Sequence, residues 1–438
     1  MPEVAVADAE VREVLGVPPD RAEFEPLPHD PRNGVTAGVW RVTGGGRTAV
    51  LKVLTRTKET GVAWAASNDP RHGSFWRREA YVHRSGLARV WEGHGIRAPR
   101  LLECVERPDG DVALWLEDVP GTPATAWSPD RHVEHVHRLG RAQGAVGAGE
   151  DHPWLSERFL RDRTAGDTTG ADHPDHDEAW RHPLVRRHFP PGLRADLARL
   201  HHDREWFLTV MESLPRALSH LDHRPANVVS GGPGTSVLLD WACTGDGALG
   251  EDLGTYLTDS VLGHSLPADE LPGLAKAAYD AYLHGLRASG WRGDENLVRL
   301  GLCASAVKYV GLTALPPAQA DDEPAAHGGP MAHGGAVAHG GPAAHGGAVA
   351  HGGPAAHGEA VAHGGPAAHG EAVVHGGSVA HSGPTVHEEP VAHSGPGALP
   401  VGLRYRERGL TLAFLAEWAA EARLLAPRLG FPPAPSGR

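Results

Sequence analysis

Cysteine is scarce in this sequence. Cys104, Cys243 and Cys303 are its three cysteines, and they lie far apart. No C-x-x-C pair is present, so the sequence makes no case for a zinc site or a disulfide framework. The three are expected to be reduced core thiols. Basic charge is also in deficit: 41 Lys and Arg against 54 Asp and Glu leave a formal net charge of -13. Binding nucleic acid needs a basic face, so nucleic acid is not an expected partner. The acidic surplus is read first as a solubility feature and second as a bias toward a cationic ligand. No uncharged apolar run approaches the ~20 residues that span a bilayer, so no membrane partner is expected. The opening segment MPEVAVADAEVREV carries acids and lacks a basic stretch ahead of an apolar run. It does not read as a secretory signal, and a cytoplasmic location is expected.

What is present suffices for a sizeable core. Hydrophobic residues make up 40% of 438, with 12 tryptophans, and the length suits two or three domains. Residues 1–19 read as an N-terminal helical segment, and residues 20–118 as a β-rich lobe. Val39–Val42 and Thr48–Leu54 flank Gly44–Gly46, the signature of a hairpin. Ser74–Leu87 reads as a helix with Ser74 as N-cap and Gly86 near its end. Arg100–Arg107 and Asp111–Asp118 read as two further strands around a PDG turn. After Pro120–Pro123 the pattern turns helical, over residues 130–148, 193–214, 251–262, 268–289 and 295–315. Residues 119–320 therefore read as a helical lobe, with an acidic, solvated loop at 167–178. Residues 400–438 return to helix, from Leu403 to near Leu429.

Residues 321–399 are of another kind. From Ala325–Pro330 to Val391–Pro396 a hexapeptide recurs, with histidine at every sixth position from His327 to His393. Its Ala, Gly and Pro content cannot bury enough apolar area to offset the entropy of ordering, so disorder is expected. A β-helix would need bulky aliphatics at fixed positions, which the unit lacks. In polyproline II, histidines six apart would sit about 19 Å from each other. Metal–imidazole bonds are about 2 Å, so an extended repeat offers no defined metal site. Tandem duplication with little selected function is the favoured reading. Lengthening a loop from ~6 to ~70 residues costs only about 2 kcal/mol, which a stable domain absorbs.

One short stretch, HLDHRPAN (His220–Asn227), carries the chemistry. Its spacing, H-x-D-x-x-x-x-N, arises by chance in roughly two chains per hundred of this composition. Its setting sharpens it. Thirteen residues past Asn227 comes Asp240, at the end of the aliphatic run Ser236–Asp240. Val228–Val229 and the turn Gly231–Gly234 lie between them. A short hairpin there brings Asn227 and Asp240 toward one point. An amide carbonyl and a carboxylate suit Mg²⁺, a hard cation that prefers oxygen. Asp222 is placed to orient an acceptor hydroxyl and take its proton. Phosphoryl transfer also calls for a lysine on the nucleotide phosphates, steadied by a glutamate. Lys52 stands on the third expected strand and Glu79 on the helix that follows it.

In this order, the residues resemble the aminoglycoside phosphotransferase family, which has a protein-kinase-like fold. The likeness runs over residues 25 to 315 and resumes at the final helix. It rests on Lys52, Glu79, LWLEDV (Leu114–Val119), HLDHRPAN and LLDWACTGDGALGEDLG (Leu238–Gly254). The resemblance implies an α+β, bilobal fold that binds ATP and Mg²⁺. It implies Asp222 as the catalytic aspartate, Asn227 and Asp240 as Mg²⁺ ligands, and Lys52 on the α- and β-phosphates, paired with Glu79. The backbone of Glu117 to Val119 would receive the adenine. His220 would support the loop from behind, and Asp252 would brace the helical lobe. The nucleotide-covering loop, Asp30–Trp40, offers Gly34 and Gly38 but no G-x-G-x-x-G. Residue 221 is Leu where Gly is frequent, and Ala242 stands where Glu is frequent.

Each residue also has a plainer reading. Alone, Lys52 is a solvent-facing strand lysine and Glu79 a helix-surface charge beside Arg77 and Arg78. Trp76, Trp115 and Trp241 read as core, and His201–His202 as helix surface. Three functions compete. The first is a Mg·ATP-dependent kinase for a hydroxyl of a small molecule: an aminoglycoside, a sugar or an amino alcohol. The second is a nucleotide-binding pseudokinase with an interaction tail. The third is a histidine-rich metal buffer. The lysine, the aspartate and both metal-ligand positions are all present, which favours the first.

Overall fold

The structure is a computed structural model. It describes residues 8–30, 33–58, 64–147, 152–165, 177–312 and 399–435, all within one compact unit. The hexapeptide repeat and residues 167–176 lie outside the described residues.

Helix α1 (Asp8–Leu15) leads into β1 (Glu23–Pro26), β2 (Thr36–Gly44) and β3 (Arg47–Leu54). Between β2 and β3 stand Gly45 and Gly46, with φ of 59° and 75°. A type I′ turn needs positive φ at both central residues, which glycine adopts without strain. The hairpin register follows, with Gly44 opposite Arg47 and Val39 opposite Lys52. Helix α2 (Arg78–Ser85) comes next, then β4 (Ile96–Arg97), β5 (Leu101–Glu106) and β6 (Val112–Glu117). The antiparallel sheet has the order β1-β2-β3-β6-β5. Strands β3 and β6 are buried along both faces. On one side Ala49, Leu51, Val53 and Trp115 pack with Val11 and Leu15 of α1. On the other, Leu54, Leu114 and Leu116 pack with Trp76 and Ala80 at α2. Alternation along β3 therefore puts Lys52 on the α2 side. Glu10 pins α1: its carboxylate takes two bonds from Arg107 at 2.9 Å and one from the Trp115 indole.

The chain then becomes helical. Helices α3 (Pro129–Val146), α4 (Phe159–Thr164), α5 (Asp177–Arg181), α6 (Pro183–His188), α7 (Leu193–His202) and α8 (Arg204–Ser213) precede β7 (Arg216–Ser219). Next come β8 (Val228–Ser230), β9 (Ser236–Leu238), β10 (Gly245–Ala248), α9 (Glu251–Leu262), α10 (Leu271–Ala288), α11 (Glu295–Ala304) and α12 (Val401–Arg428). Helices α3 and α10 touch backbone to backbone. A Cβ on Gly140 would meet the Tyr282 carbonyl at 2.2 Å, and one on Gly285 would meet that of His137 at 2.2 Å. Strand β8 pairs antiparallel with β9, and β4 pairs parallel with β9. Strands β7 and β10 form a second small ladder.

The α+β class is as expected, and so is the β8–β9 hairpin. Several bounds differ. The helix expected from Ser74 begins at Arg78, because residues 67–76 fold back on themselves: Ser67 N–H bonds the Ser74 carbonyl, and Trp76 N–H bonds that of Ser67. Ser74 therefore caps nothing. The helix expected over 193–214 breaks at Asp203, whose buried carboxylate is taken by Arg423 at 2.7 Å. The helix expected from Glu295 ends at Ala304 and tightens into 3₁₀ turns over Ser305–Leu312. Cys303 is buried, but Cys104 and Cys243 are only partly so. Trp76, Trp115 and Trp241 are core. Among the described residues, no helix is long and apolar enough to cross a membrane.

Candidate active site

A cleft of about 620 Å³, open mouth included, lies against the five-stranded sheet. Leu27, Val39, Val50, Leu116 and Leu239 give it apolar walls, and Glu117–Val119 form another side. Lys52, Glu79 and Asp240 also line it. The Lys52 ammonium lies 2.6 Å from Glu79 Oε2 and 2.7 Å from Asp240 Oδ1. All three side chains are more than nine-tenths buried. Burial opposes the charge on Lys52, but the carboxylates of Asp240 and Glu79 outweigh it and raise its pKa. The ammonium is thus fixed as a cation facing an apolar cleft. A lone buried charge would be costly; here the flanking carboxylates offset that cost.

Asp240 is reached through strain. It follows β9 with φ 57°, in the left-handed region, which for a side-chain-bearing residue costs about 1–2 kcal/mol. The His220–Asn227 loop runs alongside, and Leu239 N–H bonds the Asn227 carbonyl at 2.8 Å. Within the loop, Asn227 Nδ2 donates to the Asp222 carbonyl at 2.9 Å and to Asp222 Oδ2 at 3.0 Å. Arg224 Nε stands 3.4 Å from the same carboxylate oxygen. Asn227 Oδ1 is buried and accepts no hydrogen bond. That is an oxygen donor left open beside a carboxylate, and it fits a divalent cation. Among the described residues, no three His, Cys, Asp or Glu side chains converge as a metal cage. A cation here would complete its shell with phosphate and water oxygens, as Mg²⁺ does.

The loop is gripped from behind. Asp252, at the start of α9, accepts the N–H groups of His220 and Leu221 at 2.8 Å each. Gln143 of α3 donates to Asp252 at 3.0 Å. Burial raises the Asp252 pKa to about 6 against the pull of the two backbone donors. His220 Nε2 donates to the Leu239 carbonyl at 3.0 Å, and its ring meets Trp241 edge-on. His223 reaches His135 of α3, Nε2 to Nε2, at 2.8 Å. Burial holds these imidazoles neutral, His220 near 4 and His223 near 3.

The structure thus brings Lys52, Glu79 and Asp240 into one cluster, and Asp222, Asn227 and His220 into one loop braced by Asp252. Glu117 and Val119 line the cleft, but the Glu117 side chain is engaged elsewhere, by both Arg97 Nη atoms and by Arg100 N–H. Gly34 and Gly38 do not line it. Gly34 packs against Trp64, and Gly38 lies under the Trp40 ring. Sequence reading passed over Arg224, which lay within the motif, and Gln143, which has no local signal. Arg41 was also missed: it lines the cleft and ties β2 to Asp118 at 2.9 Å.

A search of curated proteins returned no significant match. Among solved structures, one similar chain is an aminoglycoside-3'-phosphotransferase of type VIII. It is 21% identical, with 70% of this chain and 98% of that one covered, at a TM-score of 0.40. A second is aminoglycoside phosphotransferase APH(3'')-Id from Streptomyces rimosus, in complex with ADP and streptomycin: 18% identity, 70% and 99% coverage, TM-score 0.41. A third is a choline kinase from Cryptosporidium parvum, at 12% identity, 70% and 89% coverage and TM-score 0.40. The model of the phosphotransferase enzyme family matches residues 30–294. That span is well over half of the chain and holds both the lysine cluster and the His220–Asn227 loop, so the chain belongs to the phosphotransferase enzyme family.

Proposed function

We propose that this chain moves the γ-phosphate of ATP to a hydroxyl of a small molecule. The observation that carries the reading is the Lys52 ammonium held between Glu79 and Asp240 in an apolar cleft. The cleft would take the base, with its polar edge on the backbone of Glu117 to Val119. Lys52 would meet the α- and β-phosphates, kept in place by Glu79. Asn227 Oδ1 and the Asp240 carboxylate would hold Mg²⁺, which would screen charge on the transferring phosphoryl group. Asp222 would accept a hydrogen bond from the acceptor hydroxyl, aim its oxygen in line with the γ-phosphorus, and receive the proton as the bond forms. The Asn227 Nδ2 and Arg224 contacts keep that carboxylate in a single orientation. His220 is too firmly neutral and too buried to serve as the base. A pseudokinase would be favoured by loss of one of these groups, and the sequence retains each of them.

The acceptor class is open to direct measurement: an aminoglycoside, a sugar or an amino alcohol. The test is Mg²⁺-dependent ADP release from ATP across a panel of these compounds, beside Asp222→Asn. Release stimulated by one class and abolished in the variant supports the reading. Equal, unstimulated rates in both proteins across the panel would count against it.

A further inference from the structure

Arg78 immediately precedes Glu79 on α2, and its side chain is fully buried. Among the described residues, no carboxylate pairs with it. Its guanidinium instead donates all five N–H groups to backbone carbonyls. Nε bonds Trp154 at 2.9 Å. Nη1 bonds Gly73 at 2.9 Å and Ala242 at 3.1 Å. Nη2 bonds Pro70 at 3.1 Å and His72 at 2.5 Å. A guanidinium has five donors in a rigid fork, so its hydrogen-bonding capacity is filled. Burial lowers its pKa to about 10, which still leaves it charged at neutral pH.

The five carbonyls come from three places: the loop that leads into α2, the segment before α4, and the turn that follows Asp240. The Trp241 backbone of that same turn helps to hold down the pKa of the buried Glu79 carboxyl. Two consecutive residues of one helix therefore reach the two sides of the nucleotide site. Glu79 grips Lys52, and Arg78 grips the backbone two residues past Asp240. A lysine in place of Arg78 could reach at most three of these carbonyls, and as a point charge without the fork.

We propose that Arg78 is a positioning residue, the fork that locks α2 to the Asp240 turn so that Glu79 and Asp240 stay together on Lys52. It touches neither nucleotide nor acceptor and acts through those three groups. The helix would then be engaged before any ligand arrives, with no separate activating event. The kinetic part of this inference rests on the phosphotransferase reading; the mechanical part does not.

Amide exchange on the whole wild-type protein tests the mechanical part. The amides of Phe75, Tyr81, Leu155 and Thr244 should open together, as one cooperative unit. Separate opening free energies for these four would overturn the proposal. In Arg78→Lys these amides should exchange faster while those of the α3–α10 pair keep their wild-type rates. An even increase everywhere would show a merely structural residue and overturn it as well. For kinetics, kcat/KM for ATP should fall by about a hundredfold in Arg78→Lys, with KM for the acceptor unchanged. In Arg78→Ala, added guanidinium should restore activity without raising the Tm. Unchanged KM for ATP, with activity lost only in proportion to the folded fraction, would refute the positioning role. If the variants do not fold, wild-type exchange decides alone. If wild type neither binds nucleotide nor turns over, the phosphotransferase reading fails, and the exchange result still decides the role of Arg78.

Discussion

Leu221 and Asp252 are 31 residues apart, and the Leu221 N–H points straight into the Asp252 carboxylate at 2.8 Å. Leu221 holds φ 65° to do so. Glycine would adopt that backbone freely, so Leu221→Gly should relieve about 1–2 kcal/mol of strain. The Leu221 side chain, however, is 1% exposed, and its Cδ2 lies 2.8 Å from where a Cβ on Gly247 would stand. Emptying such a site costs about 2–5 kcal/mol. The packing loss is the larger quantity. Leu221→Gly should therefore destabilise the protein by about 2 kcal/mol, read as a lower urea midpoint at an unchanged m-value. A raised midpoint would show that strain dominates.

Lys52→Met should separate binding from chemistry. The variant leaves two buried carboxylates, Glu79 and Asp240, facing each other without their cation. Nucleotide KM should rise and kcat fall by about 10²–10³, the loss expected when a positioned charge is removed from phosphoryl transfer. Steady-state rates with ATP varied at saturating acceptor would show this. Glu79→Gln should move the same constants by less, because Lys52 keeps Asp240 as partner.

Acid should weaken the fold through its buried imidazoles. His132 and His220 sit near 4 and His223 near 3, each lowered chiefly by burial. Unfolded imidazoles take protons near 6.5. Between pH 6.5 and 4 the unfolded chain therefore binds more protons, and stability falls as pH drops. Asp252 and Glu251 work the other way. Burial raises them to about 6 and about 7, so the stability they cost at neutral pH is recovered on acidification. The three imidazoles outweigh the two carboxyls. Buried His83, also near 4, and His135, lowered further, add to them, so a net loss of stability is expected, with urea unfolding at pH 7, 6, 5 and 4.5 as the measurement. His132→Gln should flatten the slope by about one proton; an unchanged slope would rule out His132 as a contributor.

Deleting residues 325–396 should leave the core intact. The described residues on both sides of the repeat pack against the same helices, and shortening the connection changes closure entropy by only about 2 kcal/mol, in the stabilising direction. The deletion variant should match or slightly exceed the wild-type Tm and keep its kcat/KM. A drop of several degrees would mean that the repeat contributes to the fold.

Much of the site was legible because its signals are local. The H-x-D-x-x-x-x-N spacing, the glycines at 44–46 and the run ending at Asp240 each fix a turn or a strand within a dozen residues. Lys52 and Glu79 could be named because phosphoryl transfer calls for a lysine steadied by a glutamate, and the family resemblance supplies their order along the chain. What stayed hidden is held by distant partners. Arg78 looks like one more charge in WRREAY, and nothing nearby foretells five carbonyls around it. Gln143 reaches Asp252 from 109 residues away. The break at Asp203 depends on Arg423, 220 residues later. Strand β10 reads as a loop because GDGA has no β pattern; its pairing with β7 supplies what its sequence does not.

Helix α12 comes last in the chain yet packs on α6, α7, α9 and α11, with Leu412, Leu415 and Trp418 in the core. During synthesis this layer arrives late. At about 5–20 residues per second, the stretch of nearly 90 residues between Leu312 and Val401 separates it from α11 by roughly 4–18 s. Throughout that interval the nascent chain carries its His220–Asn227 loop and nearly all of its helices, but lacks the segment that covers their apolar backs. Each lengthening of the repeat extends that interval. The number of hexapeptides would thus set how long a chaperone must shield the growing protein.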